Sequence, residues 1–124
     1  MKKQLKSSRT SVYNIGYHLI WCPKCRREGL VGILQKRLKE LLCEKANQMG
    51  IEIMEMEIMP DHVHLFVKST PQIAPCWIVK HLKGYSSRIL ALEFSQQMDP
   101  IPTLWTRSYS CESVGQLSEE TIRK

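Results

Sequence analysis

An α+β fold, with two helices laid on one face of an antiparallel sheet, is predicted by three features of this 124-residue chain. Two long stretches carry apolar residues at helical spacing, four runs are rich in β-branched or aromatic residues, and a Pro60-Asp61 reversal folds two of those runs into a hairpin. The resulting order of strand, helix, hairpin, helix and strand is that of a ferredoxin-like (RRM-like) sandwich, which buries one face of its sheet and leaves the other open.

Each element has its own justification. Residues 11–22 are dominated by Val12, Tyr13, Ile15, Tyr17, Leu19, Ile20 and Trp21, without clean alternation, and suggest a first strand that Pro23 ends. From Ile33 onward Leu34, Leu38, Leu41, Leu42 and Met49 recur as one face of a helix, with Gly50 where a C-terminal cap belongs. Residues 51–59 read as a strand with Met54, Met56 and Ile58 on one face and Glu55 and Glu57 on the other; Ile53 breaks the phase, as a bulge would. The run from His62 alternates strictly, placing Val63, Leu65 and Val67 under the helices and His62, His64, Phe66 and Lys68 on the open face. A second helix begins near Pro75 with Ile78, Leu82, Tyr85, Ile89 and Leu92 as its buried stripe, and Gly84 marks a point where it can kink. Pro100 and Pro102 mark a loop, after which residues 104–114 read as a last strand ending at Gly115.

Length and composition fit one domain spanning 1–124. The net charge of +6 is uneven: Lys2, Lys3, Lys6, Arg9, Lys24, Arg26 and Arg27 precede the first acid, which makes a polyanion, nucleic acid first, the natural partner. No apolar run approaches the roughly 20 residues needed to span a bilayer, and the Lys-rich start lacks a signal peptide's apolar stretch, so a cytoplasmic location without membrane attachment is expected. Five cysteines, scattered and odd in number, fit reduced thiols. The last residues, Ser118 to Lys124, open like a helix with an N-cap and two acids in its first turn, but about one and a half turns of helix are marginal alone. The natural protein is therefore expected to continue past Lys124.

The chemistry concentrates at Met59-Pro60-Asp61-His62-Val63-His64. Strand neighbours two apart present both imidazoles on one side, a pairing that suits a divalent metal, although two histidines on a solvated sheet face would read the same way.

Several segments together resemble the single-tyrosine HUH transposases of small bacterial and archaeal insertion sequences, with their REP-associated relatives. They are the runs 17–24 (Tyr-His-Leu-Ile-Trp-Cys-Pro-Lys), 59–67 (around His62 and His64), 79–88 (Val-Lys-His-Leu-Lys-Gly-Tyr-Ser-Ser-Arg), and Leu104-Trp105 through Gly115, in order across nearly the whole chain. The resemblance implies that His62 and His64 hold Mg²⁺ or Mn²⁺ against a scissile phosphate, that a tyrosine attacks to leave a 5′-phosphotyrosine link, and that the substrate is single-stranded DNA with hairpin ends. It also implies a homodimer whose active sites are shared between subunits. In such proteins the nucleophile lies in the last helix, so it is expected just beyond Lys124; Tyr13, Tyr17, Tyr85 and Tyr109 have plainer roles, and a 124-residue fragment without the nucleophile is inactive. Cys25 replaces the usual aromatic residue. Lys24, Arg26, Arg27, Lys80, Lys83 and Arg88 are the expected DNA contacts.

Two other classes stay open on sequence alone. A non-catalytic ferredoxin-like nucleic-acid-binding module shares the architecture, but would stack bases on exposed aromatic residues of the central strands. A small zinc protein would use Cys22, Cys25 and His18, although Cys22-Pro23-Lys24-Cys25 lacks the second pair that a closed four-ligand site needs.

Overall fold

The computed structural model describes residues 14–24, 30–94 and 104–117. Its elements are β1 (Asn14–Trp21), α1 (Gly32–Met49), β2 (Glu52–Met59), β3 (His62–Ser69), α2 (Pro75–Glu93) and β4 (Ser110–Leu117). The strands form one sheet in the order β2-β3-β1-β4, every neighbouring pair antiparallel. This is the predicted α+β ferredoxin-like sandwich. Tyr17, Leu19 and Trp21 of β1 and Val63, Leu65 and Val67 of β3 project to one side, where they pack in a single buried cluster with Leu38, Leu41, Leu42, Ile78, Leu82 and Leu90 of the helices.

α1 ends as its sequence demands. Gly50 adopts φ 74°, a left-handed conformation that costs glycine nothing. That turn lets Gly50 N–H reach Asn47 O at 3.2 Å and Ile51 N–H reach Ala46 O at 2.9 Å, while the Ile51 side chain is buried. At the other end, Leu30 N–H donates to Pro60 O (3.1 Å) and Gln35 Nε2 to Ile58 O (2.6 Å), tying the start of α1 to the turn that precedes His62.

The irregularity in β2 is a bulge. Ile53 faces Val67 and Glu55 faces Phe66, so Met54 is the extra residue. The consequence inverts one sequence expectation: Ile53 packs on the core together with Met56 and Ile58, and Met54 is the residue without a partner in the ladder.

Two further expectations are corrected. Leu92 is 75% exposed and does not belong to the buried stripe of α2, which runs through Ile78, Val79, Leu82, Ser86 and Leu90. At 3.6 residues per turn Leu92 lies roughly 100° from the line through Leu82 and Ser86. The last strand starts at Ser110, not Leu104, and passes through Gly115 to Leu117. Its ladder moves from Ile15↔Gln116 to Gly16↔Val114, which makes Gly115 the extra residue of a second bulge. Residues 104–106 instead pair with 22–24, through Lys24 N–H to Leu104 O (2.7 Å) and Thr106 N–H to Cys22 O (3.0 Å). The buried Trp105 indole explains the detour: it meets Trp21 edge-on at 5.8 Å and donates to Ser86 Oγ (3.1 Å), anchoring the chain under α2. Lys83 then takes the carbonyls of Thr106 (2.6 Å) and Ser108 (3.2 Å), groups a continuing strand would have offered to its neighbour. Gly84 does not interrupt α2. The basic N-terminal residues, the Pro100–Pro102 loop and the segment from Ser118 lie outside the described residues.

Candidate active site and nucleic-acid interface

The uncovered side of the sheet collects the histidines by register. His18 on β1 lies opposite Phe66 on β3, which lies opposite Glu55 on β2; one row along, Ile20, His64 and Glu57 align in the same way. Directly opposed residues share a face, so the imidazoles of His18 and His64 are neighbours on it. The His18 ring stacks on Phe66 (centroids 4.5 Å apart, 21° between planes), and its Nδ1 is 3.2 Å from His64 Nε2. His64 Nδ1 faces the Glu57 carboxylate at 3.9 Å, too far for a hydrogen bond. His62 Nδ1–H donates to Asp61 Oδ1 at 2.9 Å, and that bond holds the Asp61 carboxyl below its usual range. Both candidate metal ligands are half-buried and joined to the protein through one ring nitrogen each. Among the described residues no three side chains of His, Cys, Asp or Glu gather closely enough to hold a metal by themselves. His18 is engaged with Phe66 and His64, which gives the zinc alternative no support, and Cys25 lies outside the described residues.

The described tyrosines all stand away from this face. Tyr17 points into the core, and burial pushes its hydroxyl pKa up. Tyr85 on α2 donates to Glu44 (3.0 Å), which raises its pKa. Tyr109 lines a groove beside α2 and is also raised, chiefly by burial. A group that resists ionisation and lies on the helical side of the sheet is a poor nucleophile for chemistry at His62 and His64. Tyr13 lies outside the described residues.

The basic residues converge elsewhere. A groove of about 1090 Å³ runs between α2 and the 104–109 segment, with Lys24, Lys80, Lys83, Arg88 and Arg107 around it and Val79, Ala91, Trp105 and Tyr109 contributing apolar walls. Four of the six expected DNA contacts therefore meet in one place; Arg26 and Arg27 lie outside the described residues. Sequence reading missed Arg107 and Tyr109, whose signal was their place in the Trp105-to-Tyr109 run that detours beneath α2. It also treated the basic residues alike. Lys83 is committed to the two carbonyls of the detour, and burial lowers its pKa, so it braces the groove wall; Lys80 and Arg88 are exposed, with Arg88 lying 5.8 Å over the Tyr85 ring.

The family model for IS200-like transposases matches residues 11–124. The chain belongs to this family. It is 41% identical over 123 residues to the ISDra2 transposase TnpA of Deinococcus radiodurans, a match covering 98% of this chain and 88% of that protein. The transposase for insertion sequence element IS200 of Salmonella typhimurium is 27% identical over 112 residues, covering 89% of this chain and 74% of the relative. Among solved structures, a protein of the transposase class from Deinococcus radiodurans R1 superposes with a TM-score of 0.80 at 38% identity, covering 95% of this chain and 90% of its own. A REP-associated tyrosine transposase bound to a REP hairpin shares the fold at a TM-score of 0.64 and 11% identity, over 82% of this chain and 57% of that one. The resemblance read from the sequence motifs is thus the family shown by the comparisons, and family membership makes the protein a transposase. No described helix is long and apolar enough to cross a membrane.

Proposed function

We propose that the chain is a single domain of an HUH-type transposase that cuts and rejoins single-stranded DNA, with the open sheet face as its metal-dependent centre and the groove beside α2 as part of its DNA surface. The observation that carries this reading is the state of the two histidines: His62 and His64 project from one strand to one open face, and each has a single ring nitrogen fastened by a neighbour. Metal-binding imidazoles are usually held in this way. Two imidazoles suit Mg²⁺ or Mn²⁺ held modestly, provided water and phosphate oxygens complete the shell. Such an ion would orient the scissile phosphate and neutralise charge that develops on its oxygens.

The chain's own residues define the remaining work. Asp61 and the β3 backbone fix where His62 sits, Glu57 adds negative charge beside His64, and the cations of the groove hold backbone phosphates away from the reacting centre. Tyr17, Tyr85 and Tyr109 point elsewhere and resist ionisation, so none of them is the attacking tyrosine, which the family resemblance puts in the last helix. Attack on phosphorus joins that hydroxyl oxygen to the 5′-phosphate and releases a 3′-OH. The link conserves the energy of the phosphodiester, so rejoining needs no nucleotide cofactor. A structural neighbour's bound REP hairpin supports a substrate with hairpin ends. We also infer a homodimer, since β4 is an edge among the described strands of the sheet and a second copy could pair with it, and a cytoplasmic setting, where its DNA lies.

The test compares this 124-residue chain with one extended by native C-terminal sequence. The extended chain is expected to form a covalent adduct with hairpin-bearing single-stranded DNA that needs divalent metal and disappears in His62→Ala, while the 124-residue chain binds the DNA without linking to it. An adduct on the 124-residue chain itself would place the nucleophile among Tyr13, Tyr17, Tyr85 and Tyr109.

A further inference from the structure

The contact that links β1 to the metal-binding strand is a second imidazole, His18, with Nδ1 3.2 Å from His64 Nε2 across 46 positions of sequence. We infer that His18 is a positioning residue: its Nδ1 accepts a hydrogen bond from His64 Nε2–H, fixing the ring plane and tautomer of His64 so that His64 Nδ1 is the nitrogen left for the metal. This rests on the reading of His62 and His64 as ligands.

Three observations carry it. The His18 ring is itself clamped, stacked on Phe66 at 4.5 Å and 21°, and the β1–β3 register sets those two residues directly opposite each other, so the acceptor atom is fixed by backbone pairing. The free side of His64 is the one that faces Glu57, and at 3.9 Å that carboxylate attracts a cation without consuming the nitrogen in a hydrogen bond. The partner ligand is arranged in parallel fashion: Asp61 takes His62 Nδ1–H at 2.9 Å, which leaves His62 Nε2. Each ligand then has one nitrogen fastened by a neighbour and one free, the pattern in which outer partners set tautomer and ring orientation. Phe66, His18 and His64 form a short chain of control, in which an aromatic ring sets an imidazole and that imidazole sets a ligand.

The test uses the 124-residue chain with His18→Phe, which keeps the ring and its stacking on Phe66 but removes the acceptor, and His18→Asn, whose Oδ1 replaces that acceptor. Long-range ¹⁵N–¹H spectra without metal should show His64 protonated at Nε2 in wild type and His18→Asn, and a mixture of tautomers in His18→Phe. Mn²⁺ affinity should fall about tenfold in His18→Phe and largely recover in His18→Asn, as expected for a partner behind a ligand. Unchanged tautomer populations in a folded His18→Phe, equal Mn²⁺ affinity in His18→Phe and wild type, or no recovery in His18→Asn would each overturn the inference. If wild type binds no Mn²⁺, the metal reading falls, and the metal-free spectra still decide whether His18 sets His64.

Discussion

The open sheet face and the groove beside α2 are assembled in opposite ways. On the sheet face a few short side chains come from adjoining strands in strict register, and their rings are already bonded or stacked to neighbours. The groove draws long, mostly exposed cations from three distant segments, Lys24, the Lys80-to-Arg88 turns of α2, and Arg107, around apolar walls. The difference matches the two demands that the proposed roles would make. A reacting centre needs atoms fixed to fractions of an ångström, which paired strands supply, whereas contacts to a phosphate backbone tolerate flexible side chains and act mainly through charge.

The comparison implies a double dissociation, and its largest effect lies on the sheet face. His64→Ala should lower covalent-adduct formation with hairpin DNA on the order of 10³-fold, because metal charge stabilisation is worth several kcal/mol, while hairpin affinity stays nearly constant. Quantified adduct formation beside an equilibrium binding titration checks both halves, and a parallel loss of affinity would break the separation.

Lys80→Glu combined with Arg107→Glu should weaken hairpin binding about a hundredfold at low salt and flatten its salt dependence, since phosphate contacts and their counterion release are lost. Mn²⁺ affinity of the same variant should not move. A fall in metal affinity would mean the two regions are coupled.

Trp105→Phe sharpens the account of how the groove is built. It removes the indole N–H bond to Ser86 and leaves a void against Trp21, at a cost of about 1–3 kcal/mol in thermal or denaturant unfolding. DNA affinity should fall with it, and the His18–His64 contact should persist.

The smallest effect concerns the clamp between the helices. Arg37 grips both oxygens of Glu93 (2.8 and 2.9 Å) and holds its carboxyl below the usual range. A lowered folded-state pKa means that this contribution is present above the ordinary glutamate range and fades as pH falls through the lowered value. Glu93 is exposed and Arg37 half-buried, so solvent screens the pair and Glu93→Gln should cost little near neutrality, with the difference from wild type vanishing in acid. Melting curves across that range check it; a difference that grows in acid would reverse the sign.

Much of the frame was legible because it is encoded locally. Gly50 announces its left-handed cap, the alternation from His62 to Val67 assigns faces although Lys68, expected to be accessible, is buried beside Glu52, and the broken phase at Ile53 marks a bulge, although only the ladder shows that Met54 is its extra residue. What escaped depends on partners far away in sequence. The late start of β4 follows from the Trp105–Ser86 and Lys83–Thr106 bonds, neither of which leaves a local pattern. The same holds for the site. His62 and His64 were visible as a motif, whereas the role of His18 needs the β1–β3 register, and the inclusion of Arg107 and Tyr109 needs the detour that brings residues 104–109 against α2.

The central claim is that divalent metal binds at His62 and His64 on the open face, apart from the groove that holds DNA. Paramagnetic broadening by Mn²⁺ in ¹⁵N-labelled protein, recorded with and without a hairpin oligonucleotide, tests it most directly. Broadening should centre on His62, His64, Glu57 and Ile20, while the oligonucleotide alone shifts Lys80, Arg88 and Arg107. Broadening centred instead on Cys22 and Lys24, or absent from His62 and His64 with DNA bound, would contradict the account.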